Sequence, residues 1–354
     1  MSGALKLRRG VIVAEEPLTV EVDGERREAW ADTALLGEMR TGDEVIVNVE
    51  ALDLDLGSGG FDIVHVNLTR GLEAGGATGE HVMKLNYTSL QHPVEPVERR
   101  EFDAPAVRTK GSGESGLLEG GALVQTPVAV LPLHGHLAPA AWAAQQAAPD
   151  LRLGYVQTGG GALPGSLSRD VAELREQGLL CGHVTASPSY GGDREAISVA
   201  GALDAAAAEL GWDAILAGPG PGIIGSATAL GHGGIAALDT AHAAMALGMS
   251  TLLSPRLSSA DPRERHRGVS HHTLTVIELL LGGVEVPVPA GESAAIEALS
   301  GVAAGRHDLR EEAVDLDGYA ASGLPARTMG RGIGEDPLFF AAALAAGAAL
   351  ARRA

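Results

Sequence analysis

The residues able to do chemistry collect in five short segments, each directly after an apolar run. The first is His134-Gly135-His136, and the second runs from Thr158 through Gly159, Gly160 and Gly161 to Pro164. The third, Ser187 to Arg194, carries Asp193. The fourth is Gly218-Pro219-Gly220-Pro221-Gly222-Ile223-Ile224-Gly225, followed by Gly231-His232-Gly233-Gly234. The fifth opens on Ser254-Pro255-Arg256 and continues from Asp261 to Thr273 with Arg263, Arg265, His266, Arg267, His271 and His272. Imidazoles can move protons or ligate a metal. Guanidinium forks suit phosphate or carboxylate. Glycines allow close backbone approach, and N–H groups at a helix start attract anions.

Within these segments His134, His136, His232 and His271, with Asp193, are the candidate catalytic groups. The i, i+2 spacing of His134 and His136 fits two metal ligands in an extended segment, which His232, His266, His271 or His272 and Asp193 or Asp261 would complete. No H-E-x-x-H or His/Cys finger spacing occurs, so acid–base chemistry is an equal reading and the metal stays unknown. Adjacent His271 and His272 point different ways on a helix, which leaves at most one for a cleft. The candidate cofactor or anion ligands are Gly159, Gly160, Gly161, Gly220, Gly222, Arg256, Arg263, Arg265 and Arg267. In an extended loop Arg263, Arg265 and Arg267 would face one way. The competing reading pairs these arginines with acids such as Asp261 and Glu264, and uses the glycines only for tight connections with positive φ. Gly220 to Gly225 matches G-x-G-x-x-G, but it follows the fourth strand and Asp239 comes too early, which argues against NAD. The absence of a G-x-S-x-G elbow argues against a serine nucleophile.

From Pro127 onward, short apolar strands alternate with helices, for example Val128 to Leu133 before a helix and a helix over Arg194 to Glu209. This predicts an α/β fold with a doubly wound, mostly parallel sheet. Ligands of such sheets bind outside the carboxyl ends of the strands, where all five segments fall. A small all-β domain, barrel or sandwich-like, precedes it. Its signals are Leu18 to Val22 turning at Asp23-Gly24, then runs at 44–49, 61–66 and 82–87 broken by glycines. The predicted organisation is a β domain over 1–92, a Pro/Glu/Gly/Ser-rich linker over 93–122, and a Rossmann-like domain over 123–354. The last domain ends in a helix that Asp336-Pro337 would start. Arg331, just before it, is either a further anion ligand or part of the loop that docks this helix. Ser270 and Thr273 are candidate caps for the helix near His271.

A chain of 354 residues suggests about two domains. Its 26 basic and 45 acidic residues give a net charge of −19, a poor match to nucleic acid or anionic lipid. A single cysteine, Cys181, excludes a disulfide framework and suits a reducing cytoplasm; its place at a strand start predicts a small core residue. No secretory signal is visible, and the apolar run Leu338 to Ala351 is too short to span a bilayer. The expected partner is a small anionic ligand, with a homo-oligomer left open.

Several segments carry a resemblance. Arg9-Gly10, Asn48 to Gly60, Lys84 to Gln91, Tyr155 to Pro164, Gly191 to Asp193, Gly218 to Gly225, Asp261 to Thr273 and Thr328 to Pro337 resemble an uncharacterised bacterial family, domain of unknown function 3866, over nearly the full length. That family implies no activity. The order of Tyr155 to Pro164, Ala172 to Leu180, Trp212 to Gly225 and Ala241 to Ser254 is similar to the substrate subunits of glycine/proline reductase. That likeness implies a redox Cys or selenocysteine in the Gly-rich loop after the fourth strand, and Gly218 to Gly234 contains none. The scaffold would survive without the thiol chemistry. The functional expectation is an enzyme acting on a small phosphorylated or carboxylated molecule. The alternative is a non-catalytic ligand sensor or partner-binding protein.

Overall fold

A computed structural model describes residues 3–56, 59–73, 75–76, 82–98, 126–303 and 305–354. Two compact units divide the chain, one up to Val94 and one from Glu95. In the first, β1 (Leu7–Glu15), β2 (Leu18–Val22), β3 (Glu25–Trp30), β4 (Glu44–Asn48) and β5 (Asp62–Asn67) close into a barrel, with α1 (Thr33–Leu36) and α2 (Glu50–Asp53) in the connections. The order is β1-β2-β3-β5-β4, with β4 returning to β1. Asp23 and Gly24 both take positive φ, as a two-residue hairpin turn with the strand twist requires. Alternate residues fill the interior, among them Ile12, Val20, Val22, Val45, Val47 and Val64. Of the two β architectures expected, the barrel is the one formed. The run expected over 82–87 is shorter: β6 (Val82–Lys84) pairs with β7 (His92–Val94) as a separate hairpin, because Leu85 and Tyr87 turn to positive φ.

The second unit opens with β8 (Val128–Val130), α3 (Leu137–Ala147), β9 (Leu153–Thr158), α4 (Arg169–Glu176), β10 (Gly182–Ala186), β11 (Arg194–Ala196), α5 (Val199–Ala208) and β12 (Ala214–Pro219). It continues with α6 (Ala236–Ala246), β13 (Thr251–Leu253), the short pair β14 (Leu257–Ser258) and β15 (Gly268–Val269), α7 (His271–Leu279), β16 (Glu285–Pro289), α8 (Ser293–Ala303) and β17 (Asp308–Glu312). It ends with α9 (Leu316–Ala321), the short pair β18 (Arg327–Thr328) and β19 (Arg331–Gly332), and α10 (Pro337–Arg353). Eight strands form one sheet in the order β11-β10-β9-β12-β8-β13-β16-β17, and every pairing is parallel. β12 is inserted between β8 and β9. A dinucleotide fold keeps its first two strands adjacent, so the order here is a different one.

Strand residues alternate between two cores. Val128, Val130, Val156, Ile215 and Ala217 pack under α5, α6, α7 and α8. Ala129, Leu153, Tyr155 and Leu216 pack under α3, α4, α9 and α10. Both faces are covered, which is why the strands read as continuous apolar runs. Alanine-rich helices let these layers approach closely. Gly347 of α10 lies against the Ala140 carbonyl of α3, with no room for a Cβ.

Three expectations need correction or placement. Arg194 does not start a helix: Arg194–Ala196 is β11, and α5 begins after Ser198, whose side chain accepts from the Gly201 N–H. Cys181 is exposed rather than core, because it precedes β10 at the amino edge of the sheet, opposite the Gly- and His-rich loops. The linker expected over 93–122 falls mostly on residues 99–125, outside the described residues. Within 95–98, Val97 donates to the Glu195 carbonyl and Glu98 accepts from Ile197, so this stretch follows β11. Among the described residues no helix is long and apolar enough to cross a membrane.

Candidate functional site

The three central strands β12, β8 and β13 deliver their carboxyl ends to one place. The segments that follow them, with β18 and the start of α4, enclose a cleft of about 420 Å³. His134 and Asp170 form one part of its wall, and Gly222 to Ser226 a second. Arg256, Arg263, Arg265, His266 and His272 form a third, next to Arg327, Thr328 and Met329.

The arginines are organised around one carboxylate. Asp261 is fully buried and bonds Arg256 at 3.2 Å and Arg263 at 2.9 Å, with Arg331 at 3.5 Å. Burial would raise its pKa, but the bonds and charge of Arg263, then the charge of Arg256, hold it well below the usual carboxylate range. Arg256 is itself 2% exposed, and its Nε has no hydrogen-bond partner among the described residues. Burial, then Arg263, pushes this guanidinium down to about 10. Arg331 also bonds Asp336, whose carboxylate accepts from Ser258 and Ser259 as well. Asp336 therefore starts α10 without capping it by its side chain. Arg265 makes no ion pair or hydrogen bond among the described residues.

The extended loop expected over Arg263 to Arg267 is replaced by a 3₁₀ turn at Glu264–His266. Three residues per turn put Arg263 and His266 on one side. Arg267 does not line the cleft, and among the described residues its side chain reaches only the Asp261 carbonyl, at 3.4 Å.

His134 and His136 do not converge as the i, i+2 spacing suggested. They sit in a 3₁₀ turn that leads into α3, and their rings diverge. His134 is buried at the cleft wall; its Nδ1–H donates to the Pro219 carbonyl at 3.2 Å. Its Nε2 is then the lone pair that accepts from Ser168 Oγ at 2.7 Å, while that hydroxyl accepts from the Val171 N–H and caps α4. Asp170 stands 3.8 Å from the same Nε2. Burial favours the neutral form of both, raising Asp170 and lowering His134. His136 lies instead in the core, against Ser254 Oγ at 2.9 Å and edge-on to Phe339.

The remaining histidines form a cluster. His232 stacks on His272 with ring centres 3.7 Å apart, and His271 stands edge-on at 4.4 Å from His272. His266 is 4.8 Å from His272 and bonds the Ser270 hydroxyl, which caps α7 through the His272 N–H. Thr273, the other expected cap, accepts instead from the Arg256 N–H. His271 and His272 both join the cluster, contrary to the expectation that one would face away. They occupy the first turn of α7, where both rings can reach the β12 loop. One ring nitrogen from each of His232, His271 and His272 lies within 4.8 Å of the others'. His232 Nδ1, His271 Nε2 and His272 Nε2 are buried without partners among the described residues. Burial and the neighbouring arginines hold His266 down to about 3; burial, then His232 and Arg256, hold His272 down to about 2.

The glycines divide by role. Gly160, at φ 106, packs on the Gly233 carbonyl, Gly161 packs on the Gly220 carbonyl, and Gly159 touches Pro188. With the Ala162 N–H bonded to the Pro221 carbonyl at 2.7 Å, these contacts lock the β9 and β12 loops together. Of the five glycines expected as ligands, Gly222, at φ 71, is the one that lines the cleft. Asp193 lies at the other edge of the sheet, because it immediately precedes β11. It accepts from the His183 N–H and pairs with Arg175 at 2.9 Å. Sequence reasoning missed Asp170 and Ser168. Their signal was the start of a helix at the carboxyl end of β9, where Ser168 reads as a cap and Asp170 as a first-turn acid.

A second cleft, of about 570 Å³, lies near Gly248 to Ser250 and Arg310, Arg352 and Arg353. Its last two arginines are held by Glu285 and Glu312 and Arg310 by Asp308, which leaves it without idle donors of the Arg256 kind among the described residues.

Fold and site together define an α/β protein, preceded by a small barrel, with arginines and histidines gathered at the carboxyl edge of a parallel sheet. A model described as a protein family of unknown function, DUF3866, matches residues 28–347, and the chain belongs to that family. Comparison with curated proteins and with solved structures finds no match.

Proposed function

We propose that the cleft binds a small anionic molecule, phosphorylated or carboxylated, and that the protein is an enzyme acting on it by acid–base chemistry. The observation that carries this reading is Arg256. A guanidinium removed from water, with its Nε idle, is costly unless an acceptor arrives. Three guanidiniums, Arg256, Arg263 and Arg331, face two carboxylates, Asp261 and Asp336, and Arg265 adds a further charge. The local excess is positive in a chain of net −19. A carboxylate or phosphate would satisfy it through charge-assisted bonds. Across the cleft, Asp170, whose protonated form burial favours, would donate a proton to the bound molecule. His134, 3.8 Å from it, would take or return that proton. We place the protein in the cytoplasm, where the single exposed thiol stays reduced.

Arg265 gives the cleanest test, since it lines the cleft and holds nothing else. Phosphate or a sugar phosphate should raise the melting temperature of the wild type. Arg265→Ala should blunt that rise, because losing one charge-assisted bond costs about 1.5–3 kcal/mol, roughly ten- to a hundredfold in affinity. An equal rise in both proteins would defeat the reading.

A further inference from the structure

We propose that His232, His271 and His272 form a binding site for a first-row transition-metal dication of the zinc type, with its open side toward the anion cleft. Three observations converge on it. One nitrogen from each ring lies within 4.8 Å of the others'. Each ring has a buried nitrogen without a partner among the described residues: Nδ1 of His232, Nε2 of His271 and Nε2 of His272. His232 is oriented from behind, as metal-binding imidazoles are, since its Nε2–H donates to the Ala229 carbonyl at 2.8 Å and leaves Nδ1 as the lone pair.

The donor set selects the ion. Calcium and magnesium require oxygen ligands, and this group supplies none. Asp261, the buried carboxylate of the same loop, is committed to arginines. Three neutral imidazoles suit zinc, cobalt or nickel and leave a position open for a reacting molecule. Nitrogens around a tetrahedral ion stand about 3.3 Å apart, given metal–nitrogen distances of about 2.0–2.1 Å. Ring rotation supplies the remaining closure, and it opens the stack of His232 on His272. Gly225 and Gly234 provide the room: a Cβ on either would stand 3.4 Å or less from one of these rings. Because His272 lines the cleft, the open position would meet the anion held by Arg256. That last step rests on the proposed function; metal binding itself does not.

The test uses the untagged full chain, stripped with chelator and titrated with Co²⁺. The wild type should bind one equivalent at micromolar concentration with a visible d–d band, and Zn²⁺ should bleach it. His271→Ala, at a half-buried position, should weaken binding at least a hundredfold, whereas His65→Ala in the barrel should not. Saturating Zn²⁺ should also protect His271 from carbethoxylation, read by peptide mass spectrometry on the wild type alone. Absence of saturable one-equivalent binding, full affinity in a folded His271→Ala protein, or an unprotected His271 would each overturn the site. Failure of the anion reading shows differently: Co²⁺ would still bind, while phosphate would leave the melting temperature unmoved.

Discussion

At the scale of single residues, His136 shows how far burial can carry a group from its ordinary chemistry. It is fully buried, and among the described residues its ring bonds only Ser254 and leaves Nε2 bare. Burial, then the Arg256 charge, holds it neutral down to about 3, against about 6.5 for a free imidazole. The unfolded chain therefore binds a proton that the folded chain refuses between pH 6.5 and about 3. Stability is fully present above 6.5 and is lost as pH falls through that window, at about 1.4 kcal/mol per pH unit for one proton. Urea unfolding at pH 6.5 and 4.5 should show this loss, and His136→Gln should reduce its slope by one proton. An unchanged slope would mean that His136 is not the group responsible. The residue types of the site were readable in the chain, since Gly, His or Arg follows each of the five expected strands. Their directions were not. The 3₁₀ turns at His134–His136 and Glu264–His266 set them, and periodicity does not distinguish such a turn from extended chain.

At the scale of elements, close approach explains much of the glycine and alanine content. The contact of α10 with α3 depends on Gly347, which touches the Ala140 backbone. A methyl group there meets main chain rather than a movable side chain. Gly347→Ala should thus destabilise by about 1–3 kcal/mol, despite the better helix propensity of alanine. Thermal unfolding checks the sign; a gain in stability would show that the helices can part without cost. Most of the helices and central strands were legible, because both periodicity and turn residues marked them. β11 was not, since Arg194–Ala196 is polar, short and on the sheet edge, and it runs straight into the capped start of α5. The barrel closure was equally hidden, because on its far side β3 pairs with β5 rather than with β4, the next strand in sequence.

For the whole molecule, charge acts in two opposed ways. The net −19 repels itself, while the cleft gathers cations. Salt shortens the reach of both, from a Debye length of about 10 Å at 0.1 M to about 3 Å at 1 M. Raising NaCl from 20 mM to 0.5 M should therefore raise the melting temperature of the free protein and shrink the increment that phosphate adds. A melting temperature that falls with salt would show that local ion pairs outweigh the self-repulsion. The placement of β12 between β8 and β9 bears on how the chain becomes this structure. β9, β10 and β11 can zip together in the order in which they are made, each beside the last. β8, made before all of them, pairs only with β12 and β13. During synthesis it has no strand to lie against until the ribosome has passed Pro219. The centre of the sheet thus assembles only after its β9–β10–β11 half, and the cleft, built on the ends of β8, β12 and β13, cannot exist before it.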